Sequence, residues 1–255
     1  MDLILAQLFG NSNDLLKGRQ MSNSWGSKGL NDVPTAAPIG AYLPVAVGVA
    51  MAARQSGKKQ AVLTFLGDGA TSSSDFHVAM NFAGVFKAPV VFVCRNNGWA
   101  ISVPFSRQTA APSVAAKASA YGFEGVSVDG SDACSVYDVV SKALDKARNG
   151  GGPTLVEALT YRAGPHSTAD DPKRYRKEES SWQEKDPLHR LKILLEAKGV
   201  LNQEENSGLS KEYETTISNS ISRQEFLSPI PADRLIFEDV YSQIPWNLEE
   251  QRNQL

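Results

Sequence analysis

The amino-acid sequence predicts an α/β fold: a mostly parallel sheet with helices on both faces, continued by a C-terminal helical extension. Three observations lead there. Ala61–Leu66 and Pro89–Cys94 are short apolar runs of strand length, the first ended by glycine, as expected of buried strands. Between them Asp75–Phe86 carries Phe76, Ala79, Met80, Ala83 and Phe86 at helical spacing. That helix would span about 18 Å, close to the roughly 20 Å of a six-residue strand, so the segment fits one right-handed βαβ crossover. The alternation of strand and helix patterns then continues downstream, which calls for a parallel sheet covered on both sides.

The elements follow in order. Leu3, Ile4, Leu5, Leu8 and Phe9 form a short apolar helix ended by Gly10, and a polar, glycine-rich loop runs on through Gly29. Pro38–Ser56 is apolar nearly all round (Leu43, Val45, Val47, Val49, Met51), which predicts a buried helix. Pro44 lies near its start, where proline is tolerated, and Gly57 suits its end. Beyond the βαβ unit, Ser113–Tyr121 reads as a helix stopped by Gly122, Phe123–Val128 as a strand, Asp132–Arg148 as a helix stopped by Gly150–Gly152, and Thr154–Thr160 as a strand.

After Tyr161 the composition changes. Ala163–Ser181 is polar and charged without apolar periodicity, a loop long enough to be functional or disordered. Asp186-Pro187 then supplies an N-cap and a first-turn proline, with Leu188, Leu191, Leu194 and Leu195 as the buried face and Gly199 as the stop. Residues 202–228 read as a polar helix. The last stretch, 229–255, places Ile236, Phe237, Val240, Tyr241, Ile244 and Trp246 among charges and three prolines, and is expected to pack on a partner subunit or across the domain. The organisation is thus an incomplete N-terminal segment and loop (1–36), an α/β core (37–165), an active-site loop (166–181), and C-terminal helices and tail (182–255).

Composition narrows the function. With 255 residues and a formal net charge of −2, there is no electrostatic case for nucleic acid or a membrane surface as partner. The two cysteines, Cys94 and Cys134, lack metal or redox spacing, and Cys94 ends a predicted strand as a small core residue. No signal peptide or membrane-length apolar span is present, so a reducing, intracellular setting is expected.

The chemistry concentrates at two strand ends. Gly67-Asp68-Gly69 closes the first strand of the βαβ unit and Asn96-Asn97 closes the second, so Asp68 and Asn97 should lie side by side where open α/β sheets bind ligands. A charged oxygen from Asp68 and a neutral one from Asn97 suit Mg²⁺, which takes one or two protein groups and completes its shell with phosphate and water. Gly67 and Gly69 let backbone approach a diphosphate, and Thr71, Ser72, Ser73 and Ser74 precede a helix whose free N–H groups favour an anion. A GDG by itself would be an ordinary turn with a surface Asp. The joined pattern in βαβ context favours a metal–diphosphate site.

This pattern resembles the thiamine-diphosphate enzymes. The run GDGATSSSDFHVAMNFAGVFKAPVVFVCRNNGWAIS, with the upstream GRQM and the downstream EALTYRAGPHSTADDPKRYR, is similar to the alpha subunit of the decarboxylating component of 2-oxo acid dehydrogenase complexes. The similarity runs from LAQLFG to FEDVY, and is closest to the branched-chain type, ahead of the pyruvate and acetoin types. The resemblance implies that Asp68, Asn97 and the backbone carbonyl of Trp99 ligate Mg²⁺. It implies that Gly67, Gly69, Ala70 and Arg95 line the diphosphate, and that Ala37 and Ile39 hold and wedge the aminopyrimidine, unless they merely pack the start of a helix. His166 is the implied catalytic residue, assisting acyl transfer to a lipoyl group, a task suited to an imidazole. Its branched-chain His-His pair is Pro165-His166 here. Ser167 matches a serine phosphorylated in some relatives, and is read here as an ordinary loop serine. His77 is read as a packing or capping residue and His189 as exposed.

The implied activity is oxidative decarboxylation of a branched-chain 2-oxo acid with transfer of the acyl group to a lipoylated acyltransferase, the 3-methyl-2-oxobutanoate dehydrogenase type. Pyruvate or acetoin as substrate, or a non-catalytic fragment that keeps the fold, are the alternatives. The implied assembly is an α₂β₂ heterotetramer whose beta subunit supplies the glutamate that activates the cofactor, located in the cytoplasm, or the mitochondrial matrix in a eukaryote. By the same resemblance a further segment with a Tyr-Arg pair would precede Met1, as for a truncated chain, a split gene or a misplaced start. Ser73 and Ser74 replace a Glu-Gly pair, and Ala36, Ala41 and Tyr42 lack the groups that bind a monovalent cation in some relatives.

Overall fold

The structure, a computed structural model, describes residues 1–177, 182–231 and 235–254. The last part of the expected active-site loop, 178–181, lies outside them, as do 232–234 and 255 of the tail. Two compact units form: Met1–Ala37 with Asn202–Leu255, and Pro38–Leu201.

The larger unit holds a four-stranded parallel sheet built from β1 (Val62–Gly67), β2 (Val90–Asn96), β5 (Glu124–Asp129) and β6 (Thr154–Leu159), in the order β1-β2-β6-β5. Helix α2 (Tyr42–Gln55) precedes β1, α3 (Ser74–Val85) joins β1 to β2, and α5 (Ala133–Arg148) joins β5 to β6. The strand pleat sorts the core. Val90, Phe92 and Cys94 of β2 face one side with Leu155, against Leu43 and Val47 of α2, Phe76 and Met80 of α3, and Val114 and Ala118. Val91 and Val93 face the other with Val156, Ala158 and Val128, against Ala143 and Ala147 of α5. Two covered faces account for the unbroken apolar run Val90–Cys94 in the central strand β2. The short hairpin of β3 (Trp99–Ala100) and β4 (Val103–Pro104) leads into α4 (Phe105–Gln108).

Local capping chemistry sets the helix ends. Ser73 accepts from Phe76 N at the start of α3, Asp132 from Cys134 and Ser135 N at α5, and Asp186 from Leu188 and His189 N at α6 (Pro187–Ala197). Gly10, Gly57, Gly122, Gly150 and Gly199 all take the positive φ that terminates a helix or turn.

Several expectations are corrected. The apolar helix is not buried all round: Leu43, Val47 and Ala50 form one buried stripe, while Val45 and Val49 are exposed, with no layer among the described residues covering them. The segment before Gly122 is a 3₁₀ turn, Ala115–Tyr121, rather than an α-helix. On α6, Leu191, Leu194 and Leu195 are half-buried, and Leu188 is 78 % exposed because it sits at the free first turn.

In the smaller unit α1 (Asp2–Phe9) packs on α7 (Gln203–Gln224). Asn11 Nδ2 donates to the carbonyl of Gln224 at 2.9 Å, and Arg223 pairs with Asp2 at 2.8 Å. Helix α7 opens on a capping box between Asn202 and Glu205. Farther along, Phe237 is buried, a short helix α8 (Trp246–Arg252) follows, and Ile236, Val240 and Tyr241 remain exposed.

Candidate active site at the carboxyl end of the sheet

Strands β1 and β2 pair in parallel with Gly67 opposite Arg95, so the chain leaves both strands at the same sheet edge and delivers Asp68 and Asn97 there together. Asp68 opens a 3₁₀ turn, Asp68–Ser72, that hands the chain to α3. Its side chain is buried, and Gln108 Nε2 donates to Oδ2 at 2.8 Å. Among the described residues no lysine or arginine pairs with it. Gly69 packs so closely on the β3–β4 hairpin that an added Cβ would lie 2.8 Å from the Ala100 Cβ. Ala70 and Thr71 are buried, and Lys117 Nζ donates to Thr71 Oγ1 at 2.8 Å. Beside this turn a cleft of about 490 Å³ is lined by Thr71, Gln108, Lys117 and Tyr121, but by none of Asp68, Asn97 and His166.

The loop after β2 is shaped by two side-chain turns. Asn96 Oδ1 accepts from Gly98 N at 2.8 Å and Asn97 Oδ1 from Trp99 N at 3.1 Å, with Gly98 at φ 79°. Behind them Glu157 of β6 is 1 % exposed and accepts four hydrogen bonds: from Asn96 Nδ2 (2.7 Å), Ser127 Oγ (2.9 Å), Val114 N (3.0 Å) and Ala115 N (3.1 Å). Burial pushes its carboxyl upward, but these donors together outweigh that and hold it below the ordinary carboxylate value.

The third wall follows β6. Arg162 Nη2 donates to Ile101 O at 2.9 Å and to the Tyr175 hydroxyl at 2.6 Å. That hydroxyl donates to Asp170 Oδ2 at 2.7 Å, which also accepts from His166 N at 2.7 Å. The His166 amide and then the Tyr175 hydroxyl draw the Asp170 carboxyl below its usual range. Tyr175 meets the Trp99 ring at 5.3 Å, and Arg176 donates to Gly164 O at 3.0 Å. Up to residue 177, then, the stretch read as a loop without periodicity is ordered by side chains, with Asp171 capping a 3₁₀ turn at Pro172–Arg174. The His166 side chain itself is exposed.

The other expected residues are placed as follows. Arg95 is exposed and forms no ion pair among the described residues. Ile39 is 67 % exposed and precedes α2, so it does not pack the helix start; Ala37 is also exposed. His77 is exposed, bonded through Nδ1 to the Tyr121 hydroxyl and edge-on to Phe76. Sequence reasoning missed Gln108 and Glu157. A glutamate inside the apolar strand Thr154–Thr160 was the one available signal, since a lone buried charge in a strand needs partners.

The arrangement suits a divalent cation. A buried carboxylate without a protein cation is costly unless a metal or strong donors compensate it. Asp68 has one neutral donor among the described residues, while Asn97 and the Trp99 carbonyl lie in the segment that follows the adjoining strand β2, an all-oxygen set of the kind hard cations take. The Asp68 turn runs into the first turn of α3, whose N–H groups favour an anion.

Residues 1–227 match the family model described as "Dehydrogenase E1 component". The chain is 45 % identical over 227 residues to a Mycobacterium tuberculosis protein named 3-methyl-2-oxobutanoate dehydrogenase subunit alpha, covering 87 % of this chain and 61 % of that one. It is 42 % identical over 248 residues to the Arabidopsis thaliana 2-oxoisovalerate dehydrogenase subunit alpha 1, mitochondrial, covering 96 % and 52 %. A Bacillus cereus protein named pyruvate dehydrogenase E1 component subunit alpha is 44 % identical over 216 residues, covering 84 % and 58 %. The chain thus spans between half and two thirds of the length of these relatives.

Proposed function

We propose a function from one premise: the chain belongs to the dehydrogenase E1 component family. On that premise it is the alpha subunit of a thiamine-diphosphate-dependent 2-oxo acid dehydrogenase of the 3-methyl-2-oxobutanoate type. It acts with a beta subunit in an α₂β₂ assembly and passes the acyl group to a lipoylated acyltransferase. The observation that carries this reading is the buried Asp68 carboxylate, without a protein cation, at the strand end beside Asn97.

In this reading Asp68, Asn97 and the Trp99 carbonyl hold Mg²⁺, and Gly67, Gly69, Ala70 and Arg95 border the diphosphate. Ala37 and Ile39 border the aminopyrimidine end, and the exposure of Ile39 leaves its side chain free for that contact. Thiamine diphosphate, when bound, supplies the electron sink for decarboxylation. The protein's share is to hold and orient. Asp68, Asn97 and the Trp99 carbonyl would hold the metal, whose positive charge would offset and fix the diphosphate. The Arg162–Tyr175–Asp170 network holds the His166 backbone, presenting an imidazole that moves a proton during acyl transfer. Location follows the assembly, cytoplasmic or mitochondrial; no helix among the described residues is long and apolar enough to cross a membrane.

A second reading changes the substrate to pyruvate, motivated by the 44 % identical pyruvate-type relative. The chain, co-purified with its beta-type partner from native cells, separates them: decarboxylation of 3-methyl-2-oxobutanoate should exceed that of pyruvate when thiamine diphosphate and Mg²⁺ are added. Asp68→Ala in the same complex should abolish Mg²⁺-dependent cofactor binding by calorimetry while the circular dichroism spectrum is retained. Unchanged affinity removes Asp68 from the site, and a partner-bound complex without turnover favours a non-catalytic fragment.

A further inference from the structure

Asn96, one of the two side chains that shape the loop after β2, meets a buried carboxylate. Glu157 sits in the middle of the sheet, between β2 and β5, with only donors around it. We infer that Glu157 is a positioning residue for the metal loop, acting through Asn96 to set the backbone that presents Asn97 and the Trp99 carbonyl. The inference deepens the metal reading above and rests on it.

The argument is one of hydrogen-bond direction. The amide of Asn96 is used at both ends: Nδ2 donates to Glu157 and Oδ1 accepts from Gly98 N. Glu157 therefore dictates which way the amide points, and the amide dictates where Gly98 N–H goes. Two residues carry the consequence, because Asn97 and Trp99 flank Gly98. The Asn96 carbonyl is also held, accepting from Thr160 N at 2.8 Å, so the side chain turns on a fixed base. A neutral glutamine at 157 would bring an N–H group among donors. The Ser127 hydroxyl can rotate to accept, but the Val114 and Ala115 amides cannot. Were Asn96 to flip and accept instead, its NH₂ would face Gly98 N–H. Any resolution disturbs either the 114–115 backbone or the metal loop. Groups behind metal ligands commonly influence affinity on the order of 10–100-fold.

The test is a mutant cycle on the assembled complex with its beta-type partner, titrating Mg²⁺ calorimetrically at saturating thiamine diphosphate. Glu157→Gln and Asn96→Ala should each weaken Mg²⁺ about 10–100-fold, and the double variant should be no worse than about the weaker single, since both cut one link. Asn96→Ala leaves Glu157 three donors, so it keeps the question open if Glu157→Gln fails to fold. Ser127→Ala removes a donor on the far side of the same carboxylate and should stay within about twofold, a control for general loosening. Wild-type affinity in Asn96→Ala, losses that multiply in the double variant, or an equal loss in Ser127→Ala each overturn the inference. Hydrogen exchange at Gly98 in the ligand-free chain separates the two layers. Faster exchange in Asn96→Ala with unchanged Mg²⁺ affinity overturns the inference alone, whereas a wild-type complex that binds no Mg²⁺ overturns the metal reading and this inference with it.

Discussion

Gly69→Ala measures how tightly the Asp68 turn is pressed against the β3–β4 hairpin. The added Cβ would lie 2.8 Å from the Ala100 Cβ and 3.5 Å from its Cα. Carbon atoms rest at about 3.5–4.0 Å, so the two chains must separate by about 0.7–1.2 Å. The φ of Gly69 lies outside the left-handed region, so the cost is space rather than backbone conformation. Overpacking of this kind costs about 1–3 kcal/mol. Ala100→Gly removes the opposing methyl and leaves the Cα at 3.5 Å, an ordinary contact; alone it should cost about 0.5–1 kcal/mol as a strand glycine. Independent effects would sum to about 1.5–4 kcal/mol, yet the double variant should lose only about 0.5–1 kcal/mol, because the clash is gone. Urea unfolding of the full chain, with equal slopes for all four proteins, gives the numbers. A neutral Gly69→Ala, or a double variant less stable than Gly69→Ala, would refute the close-approach argument.

Two further outcomes are expected. His166→Ala in the complex should keep part of the decarboxylation read with an artificial electron acceptor but suppress lipoyl acylation; equal loss of both counts against an acyl-transfer role. The Ser131 hydroxyl first, then Arg190, hold the Asp129 carboxyl at about 2. Because the folded value is depressed, this stabilisation is complete above about pH 4 and fades as the pH falls toward about 2. With the side chain 54 % exposed, solvent screening keeps the amplitude below about 1 kcal/mol. Asp129→Asn should flatten stability over that window, and an unchanged acid slope would assign it to other carboxylates.

The parts readable in advance were those governed by near neighbours in the chain. Strand and helix limits fall within a few residues of expectation because apolar periodicity, Asx and Ser caps and stop glycines act over one turn. Asp68 and Asn97 were legible as a pair for the same reason, since a single short crossover leaves two parallel strands no other way to end. The exposure of Val45, Val49 and Leu188 was not legible, because an apolar face declares itself without saying whether this chain covers it.

By itself, then, the sequence determined the α/β class, the crossover and the residue types at the strand ends. Only tertiary structure decided the strand order β1-β2-β6-β5, and with it the insertion of Glu157 beside Asn96. It also decided that Gln108 reaches Asp68 and that Tyr175 links Arg162 to Asp170. The packing of α1 on α7, from opposite ends of the chain, belongs with these. Hydrogen bonding is short-ranged and directional, so which distant polar groups satisfy one another is settled only when burial has brought them together and excluded water.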